Sequence, residues 1–354
     1  MSIELSEDER RLLITSVRRV LEAGWPVERA VALAHDVDAV QRLWGQLREL
    51  GLAELGACDG PGLRETLLVF EELGRASCPA PLLGVCLGNQ LFATTDGADV
   101  QAFLAAVRAG QAIPAVALAS FDGDRAAGDV SFNNGRISGH AAFVEGIASA
   151  THLMVLVRNP PGVAVVALDD PGVRATATPG LAIPSLSDVE FGCRAIVWQP
   201  LEAQRLADAA NVTRLASTAR AQGAAQRAFD LALDHAKVRR QFGHVIGEFQ
   251  AIQHKLADCL SRLDGARLTL SGAADAFDHD DAGWRVFAEA AIAFAGPALR
   301  KVVLEAHHTL GAIGYAEEHE APRHFRSVHA DLVRFGGAAR ARAALADHLL
   351  GPAV

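Results

Sequence analysis

The C-terminal part of the chain constrains the fold most. Leu201–Lys237, Phe249–Ala274, Asp281–Leu310 and Ala330–Leu350 are long Ala/Leu/Arg-rich segments with few breakers. Such segments favour helix at nearly every position. Four of them in succession predict an antiparallel helical bundle. Upstream the character differs. Ile113–Ala119, Val130–Phe132, Arg136–Gly139, Leu153–Val157, Val163–Leu168 and Ala195–Trp198 are short apolar or alternating runs. Turn signals lie between them: Asp122-Gly123, Asn133-Asn134-Gly135, Asn159-Pro160-Pro161-Gly162 and Asp169-Asp170-Pro171-Gly172. This pattern predicts an antiparallel β domain with hairpins.

The first third reads as helical. Ser6 with Glu9 forms an N-cap signal ahead of Leu12, Leu13, Val17, Val20 and Leu21, which share one face. A second helix is expected over Val37–Leu50 with Gly51 as its stop, and a third over Leu63–Leu73 with Gly74 as its stop. Pro79 and Pro81 then break the chain, and Gln101–Ala109 is a further short helix. The fold class expected is α+β: helices over residues 1–111, a central β domain over 112–200 and a C-terminal four-helix bundle over 201–354.

Composition narrows the function. The net charge of −9 and a pI near 5.8, with no Lys/Arg-rich run, argue against nucleic-acid binding. No uninterrupted apolar stretch reaches the ~18 residues of a membrane span. The polar, acidic start lacks the features of a signal peptide. Cys58, Cys78, Cys86, Cys193 and Cys259 are scattered, with no C-x-x-C pair. That pattern suggests neither a zinc site nor a disulfide framework. A reduced, cytoplasmic enzyme is expected. His319-Glu320-Ala321-Pro322-Arg323-His324 has its histidines five apart with Pro322 between them, and His307-His308 are adjacent, so neither is read as a metal site.

The segment joining the first two long helices is the most specific motif: Arg239-Arg240-Gln241-Phe242-Gly243-His244-Val245-Ile246-Gly247-Glu248-Phe249-Gln250. Glu71-Glu72-Leu73-Gly74-Arg75, Asn134-Gly135-Arg136-Ile137-Ser138-Gly139-His140, and Gly311-Ala312-Ile313-Gly314-Tyr315 with Glu318 and Arg326 accompany it. These motifs, in this order of elements, resemble the flavin-dependent acyl-CoA dehydrogenase family over nearly the whole chain. The resemblance implies FAD as cofactor and an acyl-CoA substrate. It implies that the R-x-Q-F-G segment reaches across a subunit interface to the FAD of a neighbour. Arg239 would then meet the pyrophosphate, as a guanidinium suits phosphate oxygens. Gln241 and Gln250 would make polar contacts to the cofactor, and Phe242, Ile246 and Phe249 would pack against the adenosine part. Gly311 would allow close backbone approach to the pyrophosphate.

The resemblance also marks an absence. In the family a glutamate removes the α-proton of the thioester while the β-hydrogen leaves as hydride to the flavin. It stands in one of two places. Aligning the Gly311–Tyr315 segment and Arg326 puts Phe335 in the first, and counting back from Arg239 puts Thr213 in the second. His308 replaces the glutamine that opens the glycine segment. Ala117-Leu118-Ala119-Ser120-Phe121 replaces the stretch that cradles the flavin ring, and Phe143-Val144-Glu145 replaces the flavin wall. The residues facing a neighbour's FAD are thus better kept than those facing the chain's own.

The resemblance therefore points to a heteromer. This chain would be the partner without the catalytic glutamate, completing the FAD site of a homologous subunit that acts on bulky or steroid-type CoA thioesters. Electrons would pass on to an electron-transferring flavoprotein. Two alternatives stay open: a self-sufficient homomer with a displaced base among Glu145, Asp331 and Glu248, and a flavin-free scaffold. Asp331 lies one helical turn before Phe335 and would share its face.

Overall fold

The computed structural model describes residues 4–118, 129–180 and 183–351. The chain begins with six helices: α1 (Glu7–Gly24), α2 (Ala30–Ala34), α3 (Val37–Glu49), α4 (Leu63–Arg75), α5 (Leu82–Phe92) and α6 (Ala98–Ala109). The expected capping box closes the start of α1. Ser6 N donates to Glu9 Oε2 at 2.8 Å, and Glu9 N donates to Ser6 Oγ at 3.4 Å. Gly51 sits at φ 82, the left-handed stop expected after α3.

Gly74 is not a stop. Helix α4 runs through it to Arg75, and a Cβ on Gly74 would lie 1.8 Å from the carbonyl of Arg220. The glycine is there for close helix approach. The break in reach of the two prolines is brief, because Pro81 opens α5. That helix was not expected. Almost every one of its side chains is buried, so it carries no amphipathic period to read.

Among the described residues eight strands follow: β1 (Pro114–Ala117), β2 (Val130–Asn133), β3 (Arg136–Glu145), β4 (His152–Val157), β5 (Gly162–Ala167), β6 (Val173–Ala177), β7 (Leu186–Arg194) and β8 (Val197–Pro200). They form two four-stranded sheets, ordered β1-β4-β5-β8 and β2-β3-β7-β6. The expected all-antiparallel pattern needs one correction: β1 pairs with β4 in parallel. The Asn134-Gly135 signal makes the β2–β3 hairpin, with both residues at positive φ. The Asp169–Gly172 turn instead carries the chain from one sheet to the other. Ala119, Ser120, Phe121 and the Asp122-Gly123 signal lie outside the described residues. Side chains from the two inner faces interdigitate, with Phe132 stacked on Trp198 at 3.7 Å.

The C-terminal region holds α7 (Ala203–Val238), a hairpin of β9 (Arg240–Gln241) and β10 (His244–Val245), α8 (Gln250–Asp278), α9 (Trp284–Leu310), α10 (Ala321–Val333) and α11 (Gly337–Leu350). The bundle is as expected except in its last member. The segment expected as one helix over Ala330–Leu350 is two, α10 and α11, separated by Arg334–Gly336. Helix α7 is the spine. It packs on α4 across its middle and on α8, α9 and α10 along the bundle. At the α4 crossing Gly223 faces Gly74's helix, where a Cβ would lie 1.7 Å from the Glu71 carbonyl.

Candidate functional site

The two positions that the resemblance marks for a base, Thr213 and Phe335, hold no acid, and each side chain has a packing or hydrogen-bonding role within the fold. Thr213 lies on α7, fully buried, with its hydroxyl donating to the Ala209 carbonyl at 2.8 Å. Phe335 stands between α10 and α11 at φ 57, followed by Gly336 at φ 79 and Gly337 at φ 51. Its half-buried ring packs against the main core, with the Arg334 guanidinium 4.7 Å above it.

Beside Phe335 lies a buried group of four charges. A bulge in β3 between Ala141 and Val144 places Phe143 at φ 57 and turns its ring outward, 47% exposed. Glu145 is thereby aimed inward. Arg220, from α7, donates to Glu145 at 3.1 and 2.8 Å and to Asp331, from α10, at 2.9 and 2.6 Å. Arg334 donates to Glu145 at 2.5 Å and lies 3.9 Å from Asp331. All four are buried, and their formal charges cancel. Burial alone would raise the Glu145 carboxyl. The charges and hydrogen bonds of Arg220 and Arg334 outweigh it and hold Glu145 well below the usual carboxylate range.

Each of the three displaced-base candidates, Glu145, Asp331 and Glu248, is paired with a basic side chain. A carboxylate so stabilised in its ionised form has little affinity for a proton, and its lone pairs are engaged. Asp331 accepts from Arg220 at 2.9 and 2.6 Å, and it shares no helix face with Phe335, because α10 ends at Val333. Glu248 is exposed and paired with His244 Nδ1 at 2.9 Å. The cavity left beside Glu145, lined also by Pro79, Pro81, Pro114 and Pro184, has a volume of about 20 Å3. That is room for about one water molecule, against ~300 Å3 or more for a cofactor pocket.

The R-x-Q-F-G segment forms a rigid arm. Arg239 caps the end of α7, and Ile246 N donates to its carbonyl at 2.8 Å, closing the hairpin. Phe242 (φ 52) and Gly243 (φ 84) make the two-residue turn at its tip. That turn type requires positive φ at both positions. Phe242 is 90% exposed, held edge-to-face with Phe249 at 6.4 Å between ring centres. Gly247 packs under the Ala236 carbonyl, and Gln253 donates to the Gly247 carbonyl at 2.9 Å.

The arm brings Arg239, Gln241, Phe242, Ile246, Phe249 and Gln250 onto one projection with different roles. Arg239, Gln241 and Gln250 are exposed. Among the described residues Arg239 has no carboxylate partner. Ile246 is partly buried against the chain's own bundle core, and Phe249 is partly buried at the start of α8. Gly311, at φ 64, ends α9, and no hydrogen bond among the described residues joins it to the arm. Nothing lies within 4 Å of where its Cβ would be, so the glycine serves the turn of the backbone within this chain. Near it, buried Glu305 accepts from Lys301 at 2.6 Å and Lys255 at 3.2 Å, with His308 Nδ1 at 3.4 Å.

Sequence reasoning missed the fully buried His324. Its Nδ1 lies 3.3 Å from Ser77 Oγ, and its Nε2 lies 3.4 Å from Glu320, which also binds Arg227 at 2.6 Å. The only local signal was the i, i+4 spacing of Glu320 and His324. Strand β7 had a signal that was passed over: Val189, Phe191 and Cys193 alternate with polar or small residues.

Comparison with known proteins agrees with this architecture. The acyl-CoA dehydrogenase C-terminal domain profile matches residues 204–350. A 3-sulfinopropanoyl-CoA desulfinase of Paraburkholderia xenovorans is 31% identical, over 98% of this chain and 97% of the relative. Acyl-CoA dehydrogenase IpdE2 of Mycobacterium tuberculosis is 28% identical, over 91% of each. Among solved structures, the ChsE4-ChsE5 complex from Mycobacterium tuberculosis superposes with a TM-score of 0.86 at 24% identity, covering 99% of both chains. The Tcur3481-Tcur3483 steroid ACAD gives a TM-score of 0.85 at 26% identity, covering 97% of this chain and 98% of that one. With a full-length relative at this identity, the chain belongs to the acyl-CoA dehydrogenase family, oxidoreductases acting on the CH–CH group.

Proposed function

We propose that this chain is the subunit of an FAD-dependent acyl-CoA α,β-dehydrogenase that completes the FAD site of a homologous partner and carries no base of its own. The buried quartet of Glu145, Arg220, Asp331 and Arg334 carries this reading, because it sets neutralised charge beside Phe335, where the resemblance expects the base. The cavity beside Glu145 holds only about 20 Å3, which supports a flavin held by the partner rather than here. The surface of the arm supports the dinucleotide end of a neighbour's FAD as its target. It offers an uncompensated guanidinium, two exposed amides and an exposed aromatic ring on a braced hairpin. When bound in the partner, FAD accepts the hydride lost from the acyl group.

In this reading the chain's own residues bind and orient. Arg239 neutralises pyrophosphate charge, Gln241 and Gln250 fix the nucleotide, and Phe242, Ile246 and Phe249 exclude water from it. Gly311 gives the pyrophosphate a backbone approach. The heteromer and the steroid-type thioester are supported by the ChsE4-ChsE5 complex and the Tcur3481-Tcur3483 steroid ACAD, and by the cleft this chain does not use. An electron-transferring flavoprotein is the expected acceptor, and the cytoplasm the expected compartment. Residues 1–111, 112–200 and 201–354 are the three units of the subunit.

The test is the visible flavin spectrum of the chain, purified alone and after co-expression with a homologous glutamate-bearing subunit. We expect a colourless lone chain and a yellow complex whose flavin content falls when Arg239→Ala is introduced. A lone chain that is yellow and bleached by an acyl-CoA would instead establish a self-sufficient homomer. A complex that stays colourless would establish a scaffold.

A further inference from the structure

A pocket of about 260 Å3 opens between the loop before α4, helix α5 and the C-terminal end of α8. It shares no lining residue with the cavity beside Glu145. Leu63, Val212 and Phe277 give it apolar walls, and Asp278 and Asp280 stand at one side. No lysine or arginine lines it.

The walls are braced. Both Asp278 oxygens accept backbone N–H groups at the start of α4, from Leu63 at 2.7 Å and Arg64 at 3.0 Å. This fixes the end of α8 against α4. Gly62 lies under the same carboxylate, where a Cβ would come within 2.6 Å of it. Gly56, at φ 82, sits on the Cys86 carbonyl, where a Cβ would come within 2.4 Å. Asn89 donates to the carbonyls of Ala53 at 2.7 Å and Leu55 at 2.9 Å, holding the loop on α5. The space is therefore preformed, as small-molecule pockets usually are.

We propose that this is a binding pocket for a small apolar molecule with a hydrogen-bond-donating head, an alicyclic or short aliphatic alcohol or amine. The walls favour a hydrocarbon body by removing it from water. Each Asp278 oxygen takes one backbone N–H and keeps a lone pair for the head group. Two carboxylates with no cation among the lining residues repel carboxylates and phosphates, so fatty acids and acyl-CoA are excluded. Burial pushes the Asp278 carboxyl above its usual range, a deficit that a donated hydroxyl or ammonium proton relieves.

Saturation-transfer difference NMR on the full chain tests this, with cyclohexanol and cyclohexylamine as probes and cyclohexanecarboxylate as control. The first two should receive saturation and the carboxylate should not. Ala93→Phe, which fills the pocket, should abolish the transfer. Cys58 lines the pocket and is the exposed cysteine, so bound cyclohexanol should slow its alkylation by iodoacetamide in the unaltered chain. Equal transfer to the carboxylate overturns the proposal. So does transfer that survives Ala93→Phe, or an alkylation rate indifferent to the probe. The alkylation arm decides the matter if Ala93→Phe does not fold. None of these readouts involves flavin or a partner, so they stand or fall apart from the dehydrogenase reading.

Discussion

Phe143, Phe242 and Phe335 all hold left-handed backbone, at φ 57, 52 and 57. Bulky residues rarely adopt that conformation, and each instance costs about 1–3 kcal/mol. All three stand at positions the family resemblance singles out: the flavin wall, the arm and the base. At the tip of the arm the ring has almost no packing to lose. Phe242→Asn should therefore stabilise the isolated chain by about 0.5–1 kcal/mol in urea unfolding, since asparagine tolerates the conformation, while weakening assembly with the partner. A variant less stable than the parent would show that the tip is not strained. The quartet behaves oppositely. Arg220→Met leaves Glu145 and Asp331 buried with one guanidinium between them, which should cost about 3–5 kcal/mol. A loss below about 1 kcal/mol by the same measurement would mean that water or rearrangement compensates these carboxylates.

At the scale of elements, α4 and α7 meet through Gly74 and Gly223, with the opposing carbonyls at distances no side chain tolerates. Either glycine changed to alanine must push the helices apart, and thermal unfolding should register a loss of about 1–3 kcal/mol or more. Stability retained in both variants would refute the close crossing. Acid should act on the α10 junction in two stages. Burial lowers the pKa of His324, so the unfolded chain takes up that proton first and stability falls as pH drops through about 6.5. Glu320 is held down to about 2 despite its burial by His324 and Arg227, and Glu305 to about 2 chiefly by Lys301. Their contributions are complete above about 4.3 and are lost as pH falls toward 2. Melting temperature followed from pH 7 to 3 should show both stages, and His324→Gln should remove the first. An unchanged profile in that variant would assign the first stage elsewhere. Much of this level was legible in the sequence: the long helices, the Ser6 cap and the Asn134-Gly135 hairpin follow from local pattern alone. Helix α5 was hidden because burial on all sides erases periodicity. The split at Phe335 had a local signal in Gly336-Gly337, a glycine pair that breaks helix, but nothing in the sequence marks the phenylalanine before it for left-handed backbone. The quartet could not be read at all, since Glu145, Arg220 and Arg334 come from three separate elements and only the fold brings them together.

For the molecule as a whole, the asymmetry seen in the motifs has a physical counterpart. Inside the fold Glu145, Arg220, Asp331 and Arg334 cancel one another's charge, while on the outward arm Arg239 has no carboxylate partner among the described residues. The expected readout is a complex with flavin at the shared interface and none in this chain's cleft. Counting FAD per pair of subunits by absorbance against total protein checks this, with one per pair expected and two fatal to it. The quartet also bears on how this chain can vary. Removing any one of the four charges leaves an unbalanced ion in the interior, so the four are expected to change together. On the reading proposed above, a glutamate placed at Phe335 would add a fifth charge beside them, and regaining a base would take more than that one substitution.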